Sequence, residues 1–183
     1  AAAQAATVNY TLANGTATLG SDFAVTNSTG TLNFAVGETV KYVTVTLLND
    51  TKYESNETLT LTLSTPVGGT IATAVGTGTI TEDDAAPAIS IGDVTVSESD
   101  GTMTFTVSMD RTSATTHTVQ YALTPGTAIA GADYTTTSGT LSFGPNETSK
   151  TFTVNIAVGA DTAQDGDKAF NVTLSNATGG ATL

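Results

Sequence analysis

The chain has 183 residues, with 5 basic against 17 acidic side chains, a formal net charge of −12, one histidine and no cysteine. That length suits one large or two ordinary domains, and the charge opposes nucleic-acid binding, which needs Lys and Arg to displace counterions. Disulfides, thiolate metal sites and cysteine nucleophiles are excluded, and no apolar run approaches the ~18–20 residues of a transmembrane helix.

In chain order, the first strongly alternating segments are Val40–Leu47 and Leu59–Leu63, each with apolar residues on one face and Thr on the other. Val94–Glu98, Thr102–Met109 and Phe152–Ile156 follow the same period of two. Half-buried antiparallel strands read this way, and Gly punctuates them as turns require. No stretch keeps a 3.6-residue apolar rhythm. The expected class is all-β, with aromatics such as Phe34, Tyr42, Phe105, Phe143 and Phe152 turned inwards.

The sequence also repeats itself. Val8-Asn9-Tyr10 matches Val119-Gln120-Tyr121, and Gly15-Thr16-Ala17 matches Gly126-Thr127-Ala128. Gly20-Ser21-Asp22-Phe23 matches Gly131-Ala132-Asp133-Tyr134, and Gly30-Thr31-Leu32-Asn33-Phe34 matches Gly139-Thr140-Leu141-Ser142-Phe143. Two tandem sandwich domains are expected, residues 1–86 and 87–183. The first lacks counterparts of the second's two opening strands, and the second lacks the first's closing strand. Exposed edges of this kind invite pairing with neighbouring repeats or with identical subunits.

With the strands of a repeat taken as alternating in direction, the acids of the first copy gather at one pole. Asp22, Asp50, Glu54, Glu57, Glu82, Asp83 and Asp84 fall there, and only Glu38 falls at the other end. Crowded carboxylates repel unless a cation or protons intervene. Calcium accepts about 6–8 oxygen ligands in flexible loops, whereas zinc favours His or Cys. The competing reading is a solvated acidic cap. Catalysis is not expected: His117, placed at a strand start on the surface or an edge, has no acid or nucleophile spaced to form a triad.

These motifs in series, with Gly37-Glu38-Thr39, the stretch Asn49–Glu57 and Ile80–Asp84, resemble the Calx-beta repeat of sodium–calcium exchanger regulatory loops and bacterial surface proteins. The resemblance implies a seven-stranded immunoglobulin-like sandwich with calcium at that same pole. It adds Asn49 as an amide-oxygen ligand in the first copy, and Glu98, Asp133, Asp161 and Asp165 in the second. Lys168 stands where the first copy has Glu57, and its ammonium opposes a divalent ion there, although Asp167 beside it offsets some charge. The resemblance and the acidic, Thr-rich, cysteine-free composition together suggest a calcium-binding structural or adhesive module, extracellular or at the cell surface, as a stalk or fibre subunit. The alternative is a calcium sensor regulating an attached module.

Overall fold

The computed structural model describes residues 3–158 and 166–183. They form two compact units, Ala1–Thr51 with Ser55–Asp83 and Lys52–Glu54 with Asp84–Leu183.

In the first unit the strands are β1 (Ala6–Asn14), β2 (Phe23–Ala24), β3 (Thr29–Phe34), β4 (Thr46–Leu47), β5 (Glu57–Val67) and β6 (Val75–Ile80). Four of them make an antiparallel sheet in the order β3-β1-β5-β6, and β2 pairs separately with β4. Alternation in β5 turns Leu59, Leu61 and Leu63 to one side and Thr58, Thr60 and Thr62 to the other, as a pleated strand must. Among the described residues the buried cluster is small: Leu12, Ala17, Phe23 and Leu59.

The second unit is a fuller sandwich. Its strands are β7 (Ile89–Ile91), β8 (Thr102–Met109), β9 (His117–Pro125), β10 (Ser138–Phe143), β11 (Ser149–Asn155) and β12 (Phe170–Ser175). They form two sheets, β10-β9-β12 and β11-β8-β7. Facing side chains from the two sheets fill the space between them, including Val107, Val119, Phe143, Phe152 and Val154. Phe152 stacks on Phe105 with ring centroids 5.3 Å apart and on Tyr121 at 3.9 Å. Each such buried side chain contributes about 1.5–3 kcal/mol from surface removed from water.

Two expected strands differ. Val40–Leu47 pairs only at Thr46 and Leu47, whereas the corresponding Ser149–Asn155 pairs along its whole length with β8. Alternation makes a strand possible, but the ladder needs a partner, and among the described residues the first unit offers none beside 40–45. Tyr42, expected to face inwards, is 86% exposed, because Val43 and Val45 take the inner face. Val94–Glu98 is not a ladder strand either. The opening strand is instead the short β7, and Glu98–Asp100 forms a single 3-10 turn whose Asp100 carboxylate accepts the Ser97 N–H at 3.0 Å.

Candidate metal centre

Both repeats build one end of the site from the same tight turn. Gly20 and Gly131 take φ of 94° and 83°, a region open to glycine, so that their N–H groups reach back to Phe23 O and Tyr134 O at 2.8 Å each. The aspartate two residues on then closes a ring with the backbone four residues before it. Asp22 Oδ2 accepts the Thr18 N–H at 2.6 Å, and Asp133 Oδ2 accepts the Ile129 N–H at 2.6 Å. Each carboxylate is thereby held in one orientation before any ion or partner meets it.

The residue opposite is fixed by the Gly-Thr-Ala motif. Thr16 Oγ1 accepts the Thr58 N–H at 2.8 Å while the Ala17 N–H donates to Thr58 O at 2.9 Å. Thr127 and Ala128 hold Ala169 in the same way, each at 2.8 Å. Glycine leads the motif because a Cβ at Gly15 or Gly126 would lie 2.5 Å from the clamped carbonyl oxygen. The clamp pins the residues immediately after Glu57 and Lys168. Its role was not deduced from sequence, although recurrence of the motif in both repeats was the available signal.

In the first repeat Asp22, Glu54 and Glu57 bring carboxylate oxygens within 4.8 Å of one another, and Glu82, Asp83 and Asp84 form a second such group. The two groups adjoin. Glu57 pairs with Ile80 across β5 and β6, and the Asn56 side-chain oxygen accepts the Glu82 N–H at 2.9 Å. Three negative charges at such spacing repel by about 1 kcal/mol per pair even at the dielectric of water. An all-oxygen, partly shielded set on loops and strand ends suits calcium and lacks the nitrogen and sulfur donors zinc prefers. Asn56 was passed over in the sequence reading.

The second repeat answers the same geometry differently. Lys168 Nζ lies 2.9 Å from Asp133 Oδ1, with the two side chains only 21% and 16% exposed. The Ile129 N–H, and then the Lys168 ammonium, hold the Asp133 carboxyl below the usual aspartate range. A protein cation thus stands beside this aspartate.

Other expected ligands fall elsewhere or outside. Asp50 and Asn49 are exposed, Asp50 belongs to neither carboxylate group, and the Asn49 amide Nδ2 donates to Asp50 O at 3.0 Å. Glu98 is exposed at the start of the 3-10 turn and joins neither group. Asp161 and Asp165 lie outside the described residues. Glu38, set apart by sequence, pairs with Lys41 at 2.6 Å, as Glu147 does with Lys150 at 2.7 Å. His117 is not at a surface: it is fully buried, with Nε2 3.1 Å from Thr115 Oγ1 and Nδ1 3.4 Å from Thr178 O. Burial between β-strand neighbours satisfies the imidazole with local oxygens, which is the structural role an isolated histidine most often has.

Comparison with known proteins agrees with this architecture. The Calx-beta domain family matches residues 1–85 and again 82–182. Sodium/calcium exchanger 2 of Rattus norvegicus and of Homo sapiens are each 32% identical over 169 residues, covering 81% of this chain and 18% of the exchanger. The chain therefore spans about a fifth of the length of those relatives. Among solved structures, CBD12 from CALX1.2 aligns with 96% of this chain and 69% of its own at 26% identity and a TM-score of 0.45. The apo-form Calx CBD1 domain covers 46% of this chain and 74% of its own, at 28% identity and a TM-score of 0.43. Two tandem matches spanning nearly the whole sequence place the chain in the Calx-beta domain family.

Proposed function

We propose that the chain is a calcium-binding, non-catalytic tandem module whose first repeat senses the ion and regulates whatever is attached to it. The observation that carries this reading is the convergence of Asp22, Glu54 and Glu57 beside Glu82, Asp83 and Asp84. Calcium bound there would relieve carboxylate repulsion, with the prearranged Asp22 and with Glu57, which directly precedes the clamped Thr58, supplying oxygens. Calcium supplies charge neutralisation and a joint anchor for loops; the chain supplies the donors and their orientation. The second repeat is held by Lys168 and needs no divalent ion at Asp133. Sensor function is favoured because the curated relatives are exchangers. The extracellular, adhesive and fibre readings rest on composition and on the bacterial side of the resemblance. Partners are accordingly neighbouring domains of the same polypeptide before identical subunits.

Calorimetric titration of the full chain, with magnesium as control, tests the reading. A sensor binds calcium at about micromolar concentration, in the range of regulatory sites, and Asp83→Asn with Asp84→Asn weakens that binding. Titration without heat, together with unchanged melts in calcium and in chelator, would leave a solvated acidic cap.

A further inference from the structure

In the first unit, three stretches carry carboxylates to the acidic pole: the turn 18–23 with Asp22, the start of β5 with Glu57, and the run after β6 with Glu82 and Asp83. Two uncharged side chains tie these stretches together. Asn14, the last residue of β1, accepts the Leu19 N–H on its Oδ1 at 3.1 Å, next to the Thr18 N–H that Asp22 accepts at 2.6 Å. Asn14 also lies opposite Leu59 across β1 and β5, so the turn is fastened to the strand that begins at Glu57. Beyond the end pair of β5 and β6, Glu57 with Ile80, Asn56 Oδ1 accepts the Glu82 N–H at 2.9 Å and carries the connection one step further. The second repeat keeps the aspartate turn but has Pro125 at the place of Asn14 and Asp167 at the place of Asn56. Proline has no side-chain acceptor with which to make the first of these bonds.

We propose that Asn14 and Asn56 are positioning residues of the calcium seat, acting on it through the backbone amides of Leu19 and Glu82; the inference rests on the calcium reading above. Each places an oxygen acceptor where a backbone N–H at the pole needs one, without bringing a further charge. A carboxylate at either position would accept the same N–H but add to the repulsion among Asp22, Glu57 and Glu82. The two bonds fix the separation of the three stretches in advance, so binding an ion costs less ordering. The frame also bears on selectivity. Calcium accepts irregular oxygen sets, whereas magnesium demands a smaller, near-octahedral one, and braced stretches resist contraction onto it. Both asparagines are exposed. Losing either bond therefore hands its amide to water and costs the fold little, while the seat loses a brace.

The test compares the full chain with Asn14→Ala and Asn56→Ala by calorimetric titration with calcium and with magnesium, and by hydrogen exchange in chelator. Each substitution should weaken calcium binding by about two- to tenfold, the ordering cost of one side chain, and weaken magnesium binding less. Amide exchange in chelator should quicken at Leu19 in Asn14→Ala and at Glu82 in Asn56→Ala, with the melting temperature in chelator nearly unchanged. Asn14→Asp, which keeps an acceptor oxygen in place, should return exchange at Leu19 to the parent rate. The proposal is overturned if exchange quickens while calcium affinity stays at the parent value. It is also overturned if affinity falls with exchange in chelator unchanged, which would make the asparagine a direct ligand. A parent chain that binds no calcium would instead remove the calcium reading itself, and the positioning role with it.

Discussion

One residue after strand pairing begins in the first repeat, and one before it begins in the second, the chain passes the same Gly-Thr-Ala clamp with opposite charges beside it. Glu57 joins Asp22 and Glu54 in an acidic group, whereas Lys168 pairs with Asp133 at 2.9 Å. The backbone turn that presents the aspartate is the same in both, down to a 2.6 Å bond to the amide four residues earlier. The scaffold therefore fixes where a charge sits, and the side chain just before the clamped residue decides whether the neighbourhood calls for an external cation. The two repeats differ in their cores as well, because one has a complete second sheet and the other a two-residue remnant of it.

The core contrast should give the largest effect. Phe152→Ala removes a ring stacked on Phe105 and Tyr121 and is expected to cost about 3–5 kcal/mol in denaturant unfolding. Val43→Ala, at the corresponding place, should cost less than about 1 kcal/mol, since its side chain faces a thinly covered core. Equal costs would break the comparison.

The ion contrast comes next. Calcium at about 100 times its dissociation constant stabilises a native-state site by about 2.7 kcal/mol. Asp22→Asn should remove most of the calcium-induced rise in melting temperature, whereas Asp133→Asn should leave it in place. Lys168→Glu sharpens the test by putting a carboxylate beside Asp133 in place of the ammonium, where a calcium response should then appear. A chain whose response survives Asp22→Asn would place the ion elsewhere.

Acid probes the built-in pair. Because the Asp133 carboxyl titrates below its ordinary 3.8 in the folded chain, it contributes stability above the unfolded value and loses it as pH falls through the depressed one. Melts from about pH 6 down to about pH 3 should fall more steeply for the parent than for Asp133→Asn, across the ordinary carboxylate range. The opposite order of slopes would contradict the pairing.

The smallest effect is expected at Tyr134, whose buried hydroxyl meets no hydrogen-bond partner among the described residues. Its counterpart in the first repeat is Phe23, which is equally buried. Tyr134→Phe should change stability by within about 1 kcal/mol, and in the favourable direction, by deleting an unsatisfied hydroxyl. A clear loss in the same unfolding measurement would mean that the hydroxyl is partnered.

Strands that find partners were legible from alternation alone: Leu59–Leu63 lies within β5, and Thr102–Met109 is β8 in full. Val40–Leu47 has as clear a pattern yet remains largely unpaired, because period reports which face is apolar and says nothing about whether a neighbour exists. The same gap explains Tyr42, whose facing depended on knowing that Val43 and Val45 point inwards. At the pole, Asp22, Glu54, Glu57 and the triplet at 82–84 could be grouped from strand direction, since each lies close to a strand end. Asp50 and Asn49 share that connection but sit in loop backbone whose path no periodicity encodes. Lys168 stood out only because the repeat put it in register with Glu57. His117 was misjudged because its satisfaction comes from Thr115 and Thr178, and the latter is 61 residues distant in sequence.

The clamp at Gly15 and Gly126 has a consequence for descent. It secures the backbone through Thr and Ala, without using the side chain of the residue at 57 or 168, so that side chain is free to change while its seat stays put. Glutamate and lysine codons differ at a single base. A duplicated repeat can thus pass from recruiting an ion to carrying its own positive charge, or back again, in one mutational step that leaves the surrounding turns intact.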